Sequence, residues 1–267
     1  MIIIKVGGAK EINWEAIISD IKEISKTEKV IVVHGASQTR DEIAEKLGSP
    51  SKVITSPSGM QSVYTDSDAM DIFLMSYAGV VNKRIVEKFQ MQGINAIGLT
   101  GADAKIWEGE RKQKTLSKEG EKVRVLRDNM TGRVRKINVE FIENLLDLNI
   151  LPIITPPAIS TEGELINVDN DLAIAVMAKS LKTEKLIVLF EAGGFMKDIN
   201  DPDSLIKSLN LNEIPEYEKY AKGRMKKKLM GAQEALDGGV DKVYWGGLNV
   251  ENPILKALNG EGTIISK

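Results

Sequence analysis

Two lysine-bearing stretches lie near opposite ends of this 267-residue chain. Lys5 interrupts the apolar run Ile2-Ile-Ile-Lys-Val6 just before Gly7-Gly8, and Lys226, Lys227 and Lys228 follow Gly223-Arg-Met225. A lysine at the end of a buried strand must snorkel to solvent or meet an anion. Adjacent glycines let backbone N–H groups approach a ligand closely. Between the two stretches, Asp171 follows Asn167 at a helix start, where its carboxylate could hold two lysines in place. Cationic, glycine-rich residues of this kind suit phosphoryl transfer, which needs charge and in-line positioning more than covalent chemistry from the protein. Plainer readings stand beside this one: an edge strand with an exposed lysine and a glycine turn, a solvated helix face for the lysine run, and a helix cap for Asp171.

The elements that must position these residues alternate along the chain. Strand-like runs at Ile2–Val6, Lys29–Val33, Asn95–Thr100, Ile150–Thr155, Leu186–Phe190 and Lys242–Trp245 are interleaved with helix-like segments. The helical segments fall at about 13–24, 38–47, 66–90, 139–148, from Asp171 to about 181, and 225–236, with Ser37 placed to cap the second. A Ser/Pro/Gly-rich connection spans 49–62, and Pro156-Pro157 stops one strand. Such repetition predicts an α/β fold, a three-layer αβα sandwich on a mostly parallel central sheet. A lobe boundary is expected near residue 180, giving lobes 1–180 and 181–267. Three glycine-bearing strand ends, Lys5–Gly8, His34–Ser37 and Gly98–Gly101, converge on one crevice if they end strands of one parallel sheet.

Composition narrows the function further. The net charge of −2 argues against generic nucleic-acid or membrane-surface binding. With no cysteine and a single histidine, His34, the chain has no disulfide framework, thiol nucleophile or multi-histidine metal site. P-loop, dinucleotide-binding, protein-kinase and nucleophile-elbow motifs are absent. The apolar opening is too short for a secretory signal, and no run reaches membrane-spanning length. A soluble, cytoplasmic protein is expected.

One segment breaks the alternation. From 104 to 136, short alternating runs at Val123–Leu126 and Arg133–Arg135 suggest hairpins laid over the sheet edge. Lys105, Arg111, Lys112, Lys114, Lys118, Lys122, Arg124, Arg127, Arg133, Arg135 and Lys136 outweigh Glu108, Glu110, Glu119, Glu121 and Asp128 there. This is a solvated hairpin or a docking face for an acidic partner.

Taken together, Lys5-Val-Gly-Gly8, His34-Gly35, Ala78-Gly79-Val-Val-Asn82-Lys83, Asn167-x-x-x-Asp171, Gly223-Arg-Met-Lys-Lys-Lys228 and Gly262-Thr263 resemble the amino acid kinase family, in its acetylglutamate kinase-like form, over the whole chain. Asn95-Ala-Ile-Gly-Leu-Thr-Gly101, Glu110-Arg-Lys112, Thr131-Gly132, Thr155-Pro-Pro-Ala158 and Glu251-Asn-Pro253 are similar to its LysZ branch, which phosphorylates 2-aminoadipate or glutamate attached to the acidic carrier protein LysW. The resemblance implies that Lys5 and Lys228 stabilise the transferring phosphoryl group and that Asp171 orients both. It implies that Gly8 and Gly35 offer N–H groups to phosphate, with Gly8, Gly35, Ala36 and Asn167 on the substrate side. Gly7, Gly8, Phe190, Gly194, Asp198, Gly223 and Met225 would bind ATP, with Mg²⁺ held mainly by its phosphates and by no protein metal site. It also implies a homodimer, for which the 66–90 helix, with Ile72, Met75, Val80 and Val81, is a candidate element. The alternatives are an N-acetylglutamate kinase and a weakly active ligand- or carrier-binding member. Three departures stand out: Val63 where the family places an arginine for the substrate's α-carboxylate, with Arg40 a candidate replacement; Ala36 and Ala104 where glycines are usual; and Phe190-Glu-Ala-Gly-Gly194 in the nucleotide stretch.

Overall fold

Strands buried on both faces read as continuous apolar runs rather than alternating ones, and the central sheet is built from such runs. In the computed structural model, which describes residues 1–9, 11–120 and 122–267, eight strands form it. They are β1 (Ile2–Val6), β2 (Val30–His34), β3 (Ala96–Thr100), β4 (Leu151–Thr155), β5 (Lys185–Phe190), β6 (Ser208–Asn210), β7 (Lys242–Gly247) and β8 (Thr263–Ser266). Their order is β6-β8-β7-β5-β1-β2-β4-β3, with β7 through β3 parallel and β8 antiparallel to β7. β1 lies inside the sheet, paired with β2 and with β5, so one continuous sheet crosses residue 180.

Successive side chains of a strand point to opposite faces, and β1 distributes its residues accordingly. Ile2, Ile4 and Val6 pack with the Trp14–Ile24, Asn82–Met91 and Pro253–Leu258 helices. Ile3 packs on the other face, with the Val139–Asp147, Asn170–Ser180 and Arg224–Asp237 helices. The result is the expected three-layer αβα sandwich. Among the described residues no helix is long and apolar enough to cross a membrane.

Several local expectations are corrected. Ser37 does not cap the Ser37–Lys46 helix: Ala36 is the N-cap residue, and the Ser37 hydroxyl donates to Gly8 O at 3.3 Å. The 49–62 connection contains a hairpin, Val53–Thr55 against Gln61–Val63. The helix over 67–91, capped by Asp66, passes through a π-helical segment at Met75–Val81. The Trp107–Arg111 and Gly132–Ile137 strands join Ala158–Ser160 and Leu165–Ile166 in a second sheet. Fully buried Trp107 points its Nε1 at Met177 Sδ, 3.5 Å away on the Asn170–Ser180 helix, so this sheet covers a helix rather than the central sheet's edge. Within the 104–136 segment, the Thr115–Glu119/Lys122–Leu126 hairpin stands apart as a two-stranded unit.

Gly262, just before β8, permits a contact no other residue allows. A Cβ there would collide with Trp245 O and lie 2.7 Å from Gly193 O, both backbone atoms that cannot swing away. Gly262→Ala is expected to destabilise the fold by about 1–3 kcal/mol through overpacking, read as a lower melting temperature; an unchanged melt would show that β8 shifts freely.

Candidate active site

Lys5 shares the β1 face of Ile3, so it points toward the layer that carries the Asn170–Ser180 and Arg224–Asp237 helices. Asp171 occupies the first turn of the former, but it is not the cap. Asp169 is, accepting from Asp171 N at 3.0 Å and Leu172 N at 3.4 Å. With capping done by its neighbour, the Asp171 carboxylate is free to turn to the sheet. Lys228 lies on the other helix, which Gly223 opens with a positive φ of 54°. The two helices approach closely because position 231 is glycine: a Cβ there would lie 2.6 Å from Asp171 O. Sequence reasoning missed Gly231. Its signal was a glycine inside a helix, about 1 kcal/mol worse than alanine and therefore a marker of close backbone approach.

The three side chains form one cluster, with Lys5 buried and Asp171 and Lys228 mostly so. Lys5 Nζ lies 3.0 Å from Asp171 Oδ1, and Lys228 Nζ lies 3.1 Å from Asp171 Oδ2. Burial opposes the charge on Lys5, but Asp171 outweighs it and holds the ammonium above the usual lysine range. Burial and the Lys5 cation push Lys228 down to about 8, against the pull of Asp171. The carboxylate, although buried, is kept well below its usual range by its two lysines. Phe190, at the end of β5, places its ring 5.1 Å from Lys228 Nζ. Two ammoniums around one carboxylate leave an excess positive charge where little water reaches. That is a built site for an anion.

The glycine turns lie beside it. A Cβ on Gly8 would lie 2.7 Å from Ser37 N and 2.9 Å from Ala36 N, so Gly8 is set against the N-terminus of the Ser37–Lys46 helix, where N–H groups and the helix dipole favour anions. Two of the N–H groups assigned to this region are already committed: Gly7 N donates to Leu189 O at 2.9 Å and Gly35 N to Val6 O at 3.1 Å. The expectation that Gly35 offers its N–H to phosphate is therefore corrected. Gly35 instead allows contact with Gly8, whose N would lie 3.1 Å from an added Cβ. His34 stands behind the turn, fully buried, with Asn82 Nδ2 3.0 Å from its Nε2. An amide donor on Nε2 places the ring proton on Nδ1, which donates to Gly35 O at 3.2 Å. Burial lowers this histidine to about 4, so it is a neutral support for the turn.

The remaining assigned residues are more dispersed. Asn167 Nδ2 donates to Thr65 Oγ1 at 2.9 Å, and Thr65 N donates to Asn129 Oδ1 at 2.9 Å, a network linking the second sheet to the start of the 67–91 helix. Gly223 has open space around its Cα, and Met225 packs at the edge of the core. Gly194 is tight, with an added Cβ 2.5 Å from Leu205 Cδ1. Asp198 is exposed and accepts from Asn200 N at 3.0 Å within its own loop; no bond joins it to the lysine cluster.

Residues 1–244 match the family model described as the amino acid kinase family. The chain belongs to that family. It is 45% identical to the [LysW]-aminoadipate kinase of Deinococcus radiodurans, covering 100% of this chain and 91% of that one. It is 43% identical to the enzyme of the same name from Thermus thermophilus, over 99% and 100%. The [LysW]-aminoadipate/[LysW]-glutamate kinase of Sulfolobus acidocaldarius is 33% identical over 99% and 100%. Among solved structures, N-acetylglutamate synthase from Neisseria gonorrhoeae shares the fold, with a TM-score of 0.79 at 22% identity over 100% of this chain and 59% of that one. Carbamate kinase of Giardia lamblia shares it as well, with a TM-score of 0.68 at 21% identity over 100% and 98%.

In an amino acid kinase a nucleotide phosphate is the anion to test at this cluster. ATP binding then needs Lys228 protonated, so affinity is expected to hold below about 8 and to fall as pH rises through that value. Kd for ATP measured across this range checks it, and Lys228→Arg, charged throughout, should flatten the fall. A wild-type Kd indifferent to pH would contradict the assignment.

Proposed function

We propose that this protein is an ATP-dependent kinase that phosphorylates the side-chain carboxylate of 2-aminoadipate or glutamate carried on a LysW-type carrier. The observation that carries the catalytic part is the buried Lys5–Asp171–Lys228 cluster with its excess positive charge. The acceptor class is supported by the names of two relatives that match this chain over its full length.

The acceptor carboxylate oxygen attacks the γ-phosphorus as the bond to the bridging oxygen breaks, giving an acyl phosphate and ADP. Lys5 and Lys228 neutralise charge on the migrating group and Asp171 fixes both ammoniums, an arrangement that acts by preorganised electrostatics. Mg²⁺ held by the nucleotide's phosphates would supply further neutralisation. In this reading residues 1–180 bind the acceptor, with Gly8, Ala36 and Asn167 on that side. Residues 181–267 bind the nucleotide, with Phe190, Gly194, Asp198, Gly223 and Met225 around it. The 67–91 helix, which exposes Met75 and Val80 while Ile72 is buried, serves a homodimer in the cytoplasm.

The carrier docks on the basic hairpin. Many cations of this region are internally matched: Arg111 with Glu164 at 2.8 Å, Arg133 with Glu234 at 2.6 Å and Arg135 with Glu110 at 2.9 Å. Among the described residues Lys114, Lys118, Lys122 and Arg127 form no ion pair, and Lys118 pairs with Val123 on the hairpin face that carries exposed Leu116 and Val125, with Lys122 on the other face. An apolar centre rimmed by unspent positive charge suits an acidic protein.

Two measurements test the proposal. ADP release with ATP and Mg²⁺ is expected with carrier-linked aminoadipate or glutamate, and activity only with free N-acetylglutamate would move the enzyme to arginine synthesis. Lys5→Ala and Lys228→Ala should each lower kcat on the order of 100- to 1,000-fold. Separately, kcat/KM for the carrier-linked acceptor should fall steeply with ionic strength, and Lys118→Glu with Lys122→Glu should lower it while sparing the KM for ATP. A flat salt profile would remove the hairpin from the docking site.

A further inference from the structure

Asn129 lies just past the Thr115–Leu126 hairpin and is only 1% exposed, a buried polar side chain to which the mechanism above gives no part. Its amide is fully engaged. Oδ1 accepts from Thr65 N at 2.9 Å, while Nδ2 donates to Thr115 Oγ1 at 3.0 Å and to Thr131 Oγ1 at 3.2 Å. A backbone N–H can only donate, so the Thr65 bond fixes which end of the amide is oxygen. Without this side chain Thr65 N would be left unpaired inside the protein, where an unmet donor is costly.

The partners of Asn129 belong to separate parts of the molecule. Thr115 opens the hairpin on which the carrier docks in the reading above. Thr65 precedes Asp66, the cap of the 67–91 helix, and its hydroxyl accepts from Asn167 Nδ2 at 2.9 Å. Thr131 is bridged to Asn167, whose backbone is held on both sides. Asn167 N donates to Met130 O at 2.7 Å, and Asn167 O accepts from Gly132 N at 3.0 Å. Met130 N in turn donates to Thr65 O at 2.6 Å. Further along the same segment stands Asp171, between its two lysines. Tyr64 adds a parallel brace, its hydroxyl donating to Asp128 Oδ2. A satisfied polar network out of water rigidifies what it joins. Here it joins the base of the hairpin to the segment that carries both Asn167 and Asp171.

We infer that Asn129 is a positioning residue: it sets the hairpin in register with Asn167, so that an acceptor delivered from the hairpin reaches the lysine cluster in line. It acts through Thr65 and the Met130–Gly132 backbone rather than by touching substrate. Misplacing a reacting group by about 1 Å costs about 100-fold in rate, so a slack junction between hairpin and site is read in kcat. This assignment rests on the carrier-kinase reading above.

The test is steady-state kinetics with the carrier-linked acceptor, run well below the melting temperature of each variant. Asn129→Ala should lower kcat about 10- to 100-fold while the Kd for ATP holds. Thr115→Val, which removes one hydroxyl from the half-buried edge of the network and keeps the side chain's shape, should lower kcat by a smaller factor. Thr115→Ser, which keeps the hydroxyl, should have the wild-type kcat. The ionic-strength dependence of kcat/KM should keep its wild-type slope in all three, because no hairpin cation is removed. If Asn129→Ala does not fold, the Thr115 pair decides alone. A wild-type kcat in the folded Ala and Val variants overturns the inference and leaves the kinase reading intact. A raised acceptor KM at wild-type kcat also overturns it, since that marks a network that only shapes the docking surface. So does a Kd for ATP that weakens in step with kcat, or a Thr115→Ser no better than Thr115→Val, since both mark packing. A wild-type enzyme that turns over no carrier-linked acceptor overturns both readings.

Discussion

Two ammoniums sharing one carboxylate out of reach of bulk water is the interaction on which the rest of the structure depends. Lys5, Asp171 and Lys228 come from a central strand and two different helices, and they meet only when the whole sandwich is assembled. As a folding element the cluster is poor: desolvating three charges is expensive and their mutual attraction is incomplete, with one cation left over. The surrounding core must offset that, and it does so with apolar strands buried on both faces and helices packed on each side. A strained electrostatic arrangement supported by an ordinary core is what a site tuned for a ligand rather than for stability looks like.

The same constraint explains where the chain comes closest to itself. Lys228 reaches Asp171 only because Gly231 lets one helix approach the first turn of the other, and Lys5 faces both only because the strand period puts it on the face of Ile3. Gly8 and Gly35 likewise bring two strand ends into contact, with neutral His34 and Asn82 filling the space behind. These are backbone-level fits. Each uses the absence of a Cβ at one position to set the place of a charged group at another.

Much of this was legible in the residues and some was not, for physical reasons. Unbroken apolar runs announced the parallel sheet, and the helix between Trp14 and Ile24 followed from its apolar spacing. Residue type alone left plainer readings for Lys5, Asp171 and Lys228, and it was the family resemblance that singled out the three together. The capping role could not be divided correctly between Asp169 and Asp171, since both are good caps and only the tertiary contact with two lysines separates them. Ser37 looked like a cap and became a donor to Gly8 O, a contact set by the opposite loop. The π-helical segment leaves no periodic trace, and the second sheet was misplaced because alternation shows that a strand is half buried without showing what buries it.

The excess cation also bears on the order of events in the reaction. Joining a carboxylate to a phosphate brings two anions together, a repulsion of about 4 kcal/mol at about 4 Å with an effective dielectric near about 20. A site with matched charges would leave that repulsion to the transition state. In the proposed reaction one uncompensated ammonium is in place before either ligand arrives, so the first anion would be drawn in and the second would meet less repulsion than a charge-matched site leaves. The lysine pushed down to about 8 by burial and by its neighbour would regain affinity for its proton beside a phosphate, so nucleotide binding there would itself stabilise the charged form the proposed chemistry needs. In that reading the cost of keeping two cations together is borne by the empty enzyme and relieved on binding, and only the part of the attraction that grows toward the transition state lowers the barrier.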